Sequence, residues 1–534
     1  MSNLLDKSSI LLTPTAYENG KILSVKPNTS VGDFDFTRNS SATRVNSQGL
    51  IEDMQILSGD LVSNGDFSVD GIVNSSSYTL GWYSVDSGIS ISAGKLIITN
   101  GGSVGGRAYG TNGVNSISFI TSGKSYKLVY TIEENNDNAL VSYHNGGSYV
   151  TAPNTVGTHT IYYQAGGAIF ILRNNSANTT IKIDNVSLIE ITSDTNLPRI
   201  DYTGGVGHWL FEPQSTNLVT YSNSGVYGSS PASEILTTAP DGTNTAVRPV
   251  PNTGSNRYTG QISGGTYATN TKITYSWYRK RISTPVIDTY VGDLHPNILV
   301  NVTQVGSTIQ IKSNINGFDR FSATFNITDG SLASNIRLYF GAIIGDGNSS
   351  VAYWGHQLEV GSFATSIIPT NGSQVTRLAD AAFGAGNSDL INSTEGVLYA
   401  EIAALADDLT NKFISISNGS KTERVEIGYS NVSNKIFAFS NVGNVNQCNI
   451  SFILPNMLDY NKIAISYAEN NFALWVNGVK VGVDLIGSVS AQNTLSELAF
   501  DEGDGTDIFY SKTKCVAVFK EALTDDELTC LTTI

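Results

Sequence analysis

Aromatic side chains near predicted strands are the residues of this sequence best suited to chemistry, and sugar recognition is the chemistry they suit. A sugar site on a β-sandwich needs apolar faces for the C–H side of a pyranose ring, together with planar donors and acceptors for its hydroxyls. The chain supplies both, with 25 Tyr, 20 Phe and Asn and Gln throughout. The alternative is that these aromatics fill the cores, where large aromatic side chains are usually found. The candidates lie in two strand-rich blocks: Trp82, Tyr83, Tyr143 and His144 in the first, and Tyr275, Trp277 and Tyr278 in the second.

An acidic loop near the C-terminus is the candidate metal site. Asp501, Asp504 and Asp507 are separated by glycines in the run DEGDGTD. Calcium prefers closely spaced oxygen ligands, and glycines let a loop wrap around the ion. The run lacks the length and the terminal bidentate Glu of an EF-hand loop, so a solvated turn is the alternative to calcium.

No pattern of catalytic residues stands out, and we predict that the protein is not an enzyme. A nucleophile elbow and a phosphate-binding loop are both missing from the sequence. We interpret Asp184, Glu359 and His356 as structural residues of strands. The histidines show no zinc-ligand spacing: His144, His159, His208, His295 and His356.

Charge and cysteine content argue against several classes of partner. The 31 basic and 46 acidic residues give a net charge of −15, which opposes binding to nucleic acid or to an anionic membrane surface. The three cysteines are too few to form a disulfide framework in 534 residues. The sequence has neither a signal peptide nor a long apolar run, so we expect a soluble chain without membrane insertion.

Short alternating strands separated by turn residues dominate the chain and predict an all-β fold of antiparallel sandwiches. Only 14% of residues are charged, and glycine is abundant at 52 residues. Asn477-Gly478 between two alternating runs predicts a hairpin with a type I′ turn. Thr524 and Glu527 have the spacing of a capping box and predict one short helix near the end.

The length and these patterns predict an arm and three sandwiches, in keeping with about three or four domains for a chain of this size. Residues 1–60 have no sustained period and are expected to form an extended arm. Residues 61–192 and 223–380 are expected to form two jelly rolls of similar pattern, with residues 193–222 as their connector. Residues 381–534 are expected to form the last sandwich.

Three segments resemble those of structural proteins of tailed bacteriophages. They are FTRNSSATRVNSQGLIE from residue 36, RIDYTGGVGHWLFEPQSTNLV from residue 199 and YWGHQLEVGSFATSIIPTNGSQVTRLAD from residue 353. The 61–192 block, with its opening LVSNGDF and closing IDNVSLIEI, is similar to jelly-roll carbohydrate-binding modules. The C-terminal block, with WVNGVKVG and VFKEALTDDEL, is similar to laminin-G and concanavalin A-like domains.

The resemblance implies a virion protein, a tail or head fibre that attaches to a host-surface glycan. In that interpretation the arm docks to other virion proteins through Arg38 and Arg44, although a hairpin with solvated cations is the alternative for these two residues. Multivalent attachment favours a homo-oligomer, and we expect a trimer. A non-adhesive collar, hub or capsid-decoration protein is the alternative function, and a capsule-depolymerising tailspike is the second alternative.

Overall fold

The chain is all-β, as predicted, and consists of antiparallel β-sandwiches. The computed structural model describes residues 2–72, 81–102, 106–113, 116–222, 234–249, 258–263, 267–281, 302–327, 335–339 and 351–534. The chain divides into two compact units. The 55–194 unit comprises Gln55–Asp194 and Gly242–Thr245, and the main unit comprises Met1–Met54, Thr195–Asp241 and Ala246–Ile534.

The 55–194 unit is a sandwich of two antiparallel sheets in the region where a jelly roll was expected, 61–192. The six-stranded sheet has the order Gly157–Gln164, Ser125–Glu134, Thr179–Ser193, Lys95–Asn100 and Ile89–Ser92, with Ile56–Asp60 also paired to Thr179–Ser193. The five-stranded sheet has the order Tyr149–Ala152, Val141–His144, Ile171–Asn174, Gly106–Gly110 and Trp82–Tyr83.

The core of this unit consists of alternate side chains of the strands, which point from both sheets into the space between them. Leu128 and Tyr130 of the six-stranded sheet are fully buried in one cluster with Val141 and Leu172 of the five-stranded sheet. Because successive side chains of a strand point to opposite faces, each sheet keeps its second face for other contacts. Residues 73–80 of the predicted 61–192 block lie outside the described residues.

Residues 381–534, for which the last sandwich was expected, supply most strands of a C-terminal sandwich, and earlier parts of the main unit supply three more. One sheet contains Ile10–Leu12, Ile200–Asp201, His208–Leu210, Ser511–Phe519, Glu395–Ala404, Asn461–Ala468, Asn471–Val476 and Val479–Asp484. The facing sheet has the order Val445–Ile453, Lys435–Val442, Arg424–Tyr429, Lys412–Ser417 and Glu497–Ala499. Ile402 and Ile463 of the first sheet share a core with Ile416 and Ile427 of the second.

Two local predictions in this sandwich are confirmed. Asn477 and Gly478 have φ values of 51° and 84°, and Val476 pairs with Val479 across the turn. The helix Asp525–Thr532 begins with the predicted capping box of Thr524 and Glu527. The described part of the chain has one other α-helix, Ser2–Leu5, and a 3-10 turn, Ser30–Gly32. None of these helices is long and apolar enough to cross a membrane.

The first 54 residues do not form the extended arm that the sequence suggested. Ile10–Leu12 pairs with the last strand of the C-terminal sandwich, and Phe34 and Phe36 are buried in that core. Two small sheets hold the rest: Tyr17–Glu18, Lys21–Ile22, Phe34–Thr37 and Ala381–Phe383 form one, and Thr43–Val45 and Ile51–Asp53 form the other. The sequence pattern is irregular because these strands are only two to four residues long, and some pair locally while others pair with distant parts of the chain.

The second predicted jelly roll, 223–380, belongs to the same compact unit as the C-terminal sandwich. Its main sheet has the order Glu234–Thr237, Ala246–Pro249, Val351–Val360, Lys272–Arg281, Phe318–Ile327 and Val302–Ile315. Two further pairs are Tyr258–Ser263 with Asn335–Tyr339, and Ser215–Asn217 with Val375–Arg377. Residues 223–233 and 340–350, among others of this block, lie outside the described residues.

Candidate functional site

The outer face of the five-stranded sheet in the 55–194 unit gathers aromatic and basic side chains. The strand Gly106–Gly110 explains how, because its buried positions are Gly106, Ala108 and Gly110 while Arg107 and Tyr109 alternate with them. Small residues thus face the core, and the two large polar side chains face outward. We call this surface the Tyr-Arg face and define it by Tyr83, Arg107, Tyr109, Ser142, His144, Tyr149 and Arg173.

The register of the five strands places these residues side by side. Arg173 lies opposite Arg107 on one neighbouring strand and opposite Ser142 on the other. Tyr109 lies opposite Tyr83. Directly opposed residues have Cβ atoms about 5 Å apart, so these side chains form one continuous surface.

Aromatic contacts fix the two ends of the face. The Tyr83 and Tyr109 rings meet edge to face with centroids 5.6 Å apart. At the other end the rings of His144 and Tyr149 meet in the same way at 4.8 Å. Tyr149 keeps 37% of its surface exposed. Rings held in this way offer apolar area at a low entropic cost.

The two arginines of the face differ in their partners. Arg107 binds Asp86 through two hydrogen bonds, from Nε at 3.0 Å and from Nη2 at 2.9 Å. Arg173 lies over the ring of Tyr149, with 4.9 Å from Cζ to the ring centroid. Among the described residues, no carboxylate lies within ion-pair distance of Arg173.

Two polar atoms at the base of the face have no hydrogen-bond partner among the described residues. They are Arg173 Nε and Ser142 Oγ, both buried. Ser142 as a whole is 2% exposed. Because buried polar groups in folded proteins are nearly always paired, two adjacent unpaired groups mark a place where a ligand or water belongs.

The electrostatics of the face follow from burial and from the two arginines. Burial raises the pKa of Tyr149, as does Tyr109, while the charges of Arg173 and Arg107 oppose the rise. Burial lowers the pKa of His144. His144 Nδ1 accepts a hydrogen bond from the Gly146 amide at 3.0 Å, as a neutral imidazole does. Tyr149 and His144 are therefore neutral near pH 7, and the guanidinium groups carry the positive charge of the face.

Two of the four sequence candidates in this unit lie on the face, and two lie in the core. Tyr83 and His144 belong to the face. Trp82 is fully buried and donates from Nε1 to the Asn64 carbonyl at 3.1 Å, and Tyr143 is 5% exposed within the same core. The core alternative raised from the sequence therefore applies to Trp82 and Tyr143.

The three candidates of the second block are also buried. Tyr275 and Trp277 are 1% exposed and stack on each other, and Tyr278 is 4% exposed on the opposite face of the sheet. The Tyr275 hydroxyl lies 2.7 Å from Nδ1 of His356, which is fully buried with a pKa lowered to about 3 by that burial. A sugar cannot reach these rings without opening the core, so here too the core alternative describes their position.

Five residues of the face were not among the sequence candidates: Arg107, Tyr109, Ser142, Tyr149 and Arg173. The sequence did carry a signal for two of them, because Gly-Arg-Ala-Tyr-Gly alternates small residues with large polar ones. The sequence pattern could not place Arg173 and Tyr149 on this face, because their position depends on strand register, which the pattern left open.

The acidic loop carries its own positive partners. Lys421 Nζ lies 2.6 Å from Glu502 and 3.7 Å from Asp504, and Arg424 lies 3.0 Å from Glu502. Asp501 accepts the Gly503 amide at 2.6 Å. Burial raises the pKa of Asp507. No group of three or more His, Cys, Asp or Glu side chains in the described part of the chain has a metal-binding arrangement. A lysine between two of the carboxylates does not fit a calcium site.

Of the two predicted docking arginines, only Arg44 lies in a hairpin, formed by Thr43–Val45 and Ile51–Asp53, and Arg38 is not a solvated cation. Its side chain is 0% exposed and binds Asp380 at 2.8 Å. Burial lowers the pKa of Arg38 to about 10, which leaves it charged at neutral pH. Arg44 is 20% exposed and pairs with Glu52 at 2.8 Å. Docking through Arg38 would therefore require a buried ion pair to open.

Arg38 belongs to a buried ion-pair cluster that joins segments 36–52, 199–219 and 353–380. Arg199 binds Glu212 at 2.7 Å and Asp380 at 2.5 Å, and Arg377 binds Glu212 at 2.9 Å. Burial opposes ionisation of Asp380, but the charges of Arg199 and Arg38 hold its pKa below the usual range. The three segments, which are distant in sequence, therefore contact one another through buried ion pairs.

Comparison with known proteins yields similarities over parts of the chain. No protein-family model matches the chain. No curated protein matches it in sequence. Among solved structures, the CBM40 domain of Ruminococcus gnavus IT-sialidase bound to α2,3-sialyllactose is 14% identical, with a TM-score of 0.23, covering 26% of this chain and 83% of that one.

Two further structures extend the comparison. Domain 4 of AbnA, a GH43 arabinanase from Geobacillus stearothermophilus, in complex with arabinotriose, is 12% identical with a TM-score of 0.23, covering 30% of this chain and 77% of that one. The CBM22 tandem of Paenibacillus barcinonensis Xyn10C is 10% identical with a TM-score of 0.16, covering 60% of this chain and 97% of that one. At these low scores no function is drawn from the similarities, and the fold class rests on the strands themselves.

Proposed function

We propose that the Tyr-Arg face binds a glycan, and that the protein is a non-catalytic attachment component of a tailed-phage virion. The observation that carries the glycan site is the pair of buried, unpartnered polar atoms, Arg173 Nε and Ser142 Oγ, between two aromatic ends. Tyr83 and Tyr109 supply ring surface at one end and Tyr149 supplies it at the other.

This chemistry suits a sugar better than it suits an apolar ligand. Tyrosine rings pack against pyranose C–H groups while their hydroxyls stay in water. Arginine and serine offer directional donors for sugar hydroxyls. A single site of this kind binds weakly, so attachment gains from several copies held together, which is consistent with the expected trimer.

The proposed place on a virion rests on the resemblance of segments 36–52, 199–219 and 353–380 to structural proteins of tailed bacteriophages. These segments also contain the buried ion-pair cluster. Host attachment would place the Tyr-Arg face outward on the particle. The non-adhesive alternative, a collar, hub or decoration protein, would use the same sandwiches for contacts with virion proteins. The two proposals differ in whether the purified chain binds host cells.

Glycan binding by the full chain tests the proposed site. The unmodified protein and the variants Tyr83→Ala and Tyr109→Ala are compared on an array of bacterial surface polysaccharides. Tyr162→Ala is the matched control, because Tyr162 is 47% exposed on the six-stranded sheet of the same unit. We expect each face variant to weaken binding about tenfold and the control to leave it unchanged. Equal binding by all four proteins would exclude this face as the site.

Electron microscopy of particles labelled with an antibody against the chain tests the virion setting. Label on fibres, together with binding of the purified chain to host cells, supports attachment. Binding only to particles that lack the protein supports the structural alternative, and particles without label would refute both.

A further inference from the structure

We propose that the glycan is acidic, and that Arg173 binds its carboxylate with help from Ser142. The inference rests on the proposed function and specifies its ligand class: a polysaccharide that contains uronic or sialic acid. It concerns the side-chain charges and unpaired donors at the centre of the Tyr-Arg face.

The Tyr-Arg face carries one positive charge more than its described carboxylates neutralise. Arg107 and Arg173 lie directly opposite each other on neighbouring strands, an arrangement that destabilises a sheet when nothing neutralises it. Asp86 neutralises Arg107 through two hydrogen bonds. Arg173 has no ion-pair partner among the described residues, so one positive charge is left for a ligand. This charge stands out in a chain of net charge −15.

The unpaired donors match the shape of a carboxylate. The guanidinium of arginine is a planar fork that binds both oxygens of a carboxylate at once. The Nε of Arg173 is buried and unpaired, and the unpaired Ser142 Oγ lies on the adjacent strand at the opposed position. A carboxylate between them would satisfy both groups, whereas the hydroxyl of a neutral sugar would leave the charge without a partner.

Tyr149 fixes the plane of this fork. Arg173 Cζ lies 4.9 Å from the centroid of the Tyr149 ring, and the ring itself is held by His144. A guanidinium that is already oriented loses less conformational entropy on binding its ligand. The sugar ring attached to the carboxylate would then extend over the aromatic groups of the face.

The test compares the full chain on acidic polysaccharides before and after chemical reduction of their carboxyl groups. The probes are uronate- and sialate-containing polysaccharides, their carboxyl-reduced forms and sulfated polysaccharides. We expect at least one carboxylated probe to bind about tenfold more tightly than its reduced form. We also expect this preference to weaken as salt is raised.

Two matched variants assign the effect to Arg173. Arg173→Gln should abolish the preference for the carboxylated form, and Arg173→Lys should restore only part of it, because lysine lacks the planar fork. Lys127→Gln is the control: it removes one positive charge from the same unit, where Lys127 lies 6.0 Å from the Tyr162 ring on the other sheet. Unfolding curves of all variants confirm that the fold is intact.

The outcomes separate the two proposals. If carboxyl reduction leaves binding unchanged while Tyr109→Ala weakens it, the glycan site stands and its acidic specificity is refuted. Tighter binding to sulfated than to carboxylated probes would likewise refute the carboxylate. If no polysaccharide of any class binds, both the site and its specificity are refuted.

Discussion

Replacement of Arg199 by methionine tests the buried ion-pair cluster of the main unit. The Arg199 side chain is fully buried and bridges Glu212 at 2.7 Å and Asp380 at 2.5 Å. It also donates to Ser366 Oγ at 2.8 Å and to the Thr43 carbonyl at 3.3 Å. Methionine fills similar volume but removes the guanidinium that contacts both carboxylates, so Glu212 keeps only Arg377 and Asp380 keeps only Arg38 as a buried ion-pair partner.

The expected loss of stability is large. Removal of one partner from a buried ion pair costs about 3–5 kcal/mol, because the remaining charge stays desolvated. Lys21→Met is the control, since the Lys21 to Asp35 pair is 43% and 53% exposed and such pairs contribute about 0–1 kcal/mol. Arg199→Lys keeps the charge but cannot reach both carboxylates in the same geometry, so its loss should be intermediate.

Urea unfolding followed by tryptophan fluorescence measures this effect. Four of the five tryptophans, at 209, 277, 354 and 475, lie in the main unit, so its transition dominates the signal. With an m-value of about 3 kcal/mol per M, Arg199→Met should lower the midpoint by about 1 M or more. A shift no larger than that of Lys21→Met would refute the stabilising role of the cluster.

Three further predictions concern other parts of the chain. Trp82→Ala should destabilise the 55–194 unit by about 3–5 kcal/mol in thermal unfolding, because Trp82 is fully buried, whereas Tyr83→Ala should leave that transition nearly unchanged. Arginine charges hold the pKa of Glu212 and the pKa of Asp380 below their usual range despite burial. The contribution of these carboxylates to stability is therefore present above about pH 4.5 and is lost as the pH falls further. Unfolding midpoints measured from pH 6 to pH 2 should decline, and a constant midpoint would contradict this. Metal analysis of the purified chain should find no stoichiometric calcium, because Lys421 already pairs with Glu502 and Asp504 of the acidic loop, and one equivalent per chain would contradict that view.

The sequence by itself determined the fold class, the hairpin turn and the last helix. These features depend on local rules. Alternating β-branched and aromatic residues favour strands wherever they occur, and Asn477-Gly478 tolerates the positive φ values of its turn. Thr524 and Glu527 need only each other's backbone to form the capping box. None of these three features depends on residues that are distant in the chain.

Tertiary structure decided which polar residues are buried and which form a site. Arg38 and Asp380 are 342 positions apart in the chain, and nothing local distinguishes Arg38 from a solvated cation. Residues 1–54 looked like an arm because their strands are short, and two of them, Ile10–Leu12 and Phe34–Thr37, pair with strands more than 300 positions away. Burial depends on what packs against a side chain, and that is a property of the fold.

The Tyr-Arg face shows the same division within one sheet. The sequence indicated Tyr83 as a candidate, together with its neighbour Trp82, but could not tell which of the two faces the core. A shift of one residue in strand register exchanges the faces, so the answer depends on pairing between strands. That pairing sets Arg173 against Arg107 and Ser142, which brings one uncompensated charge and two unpaired donors to the centre of the face.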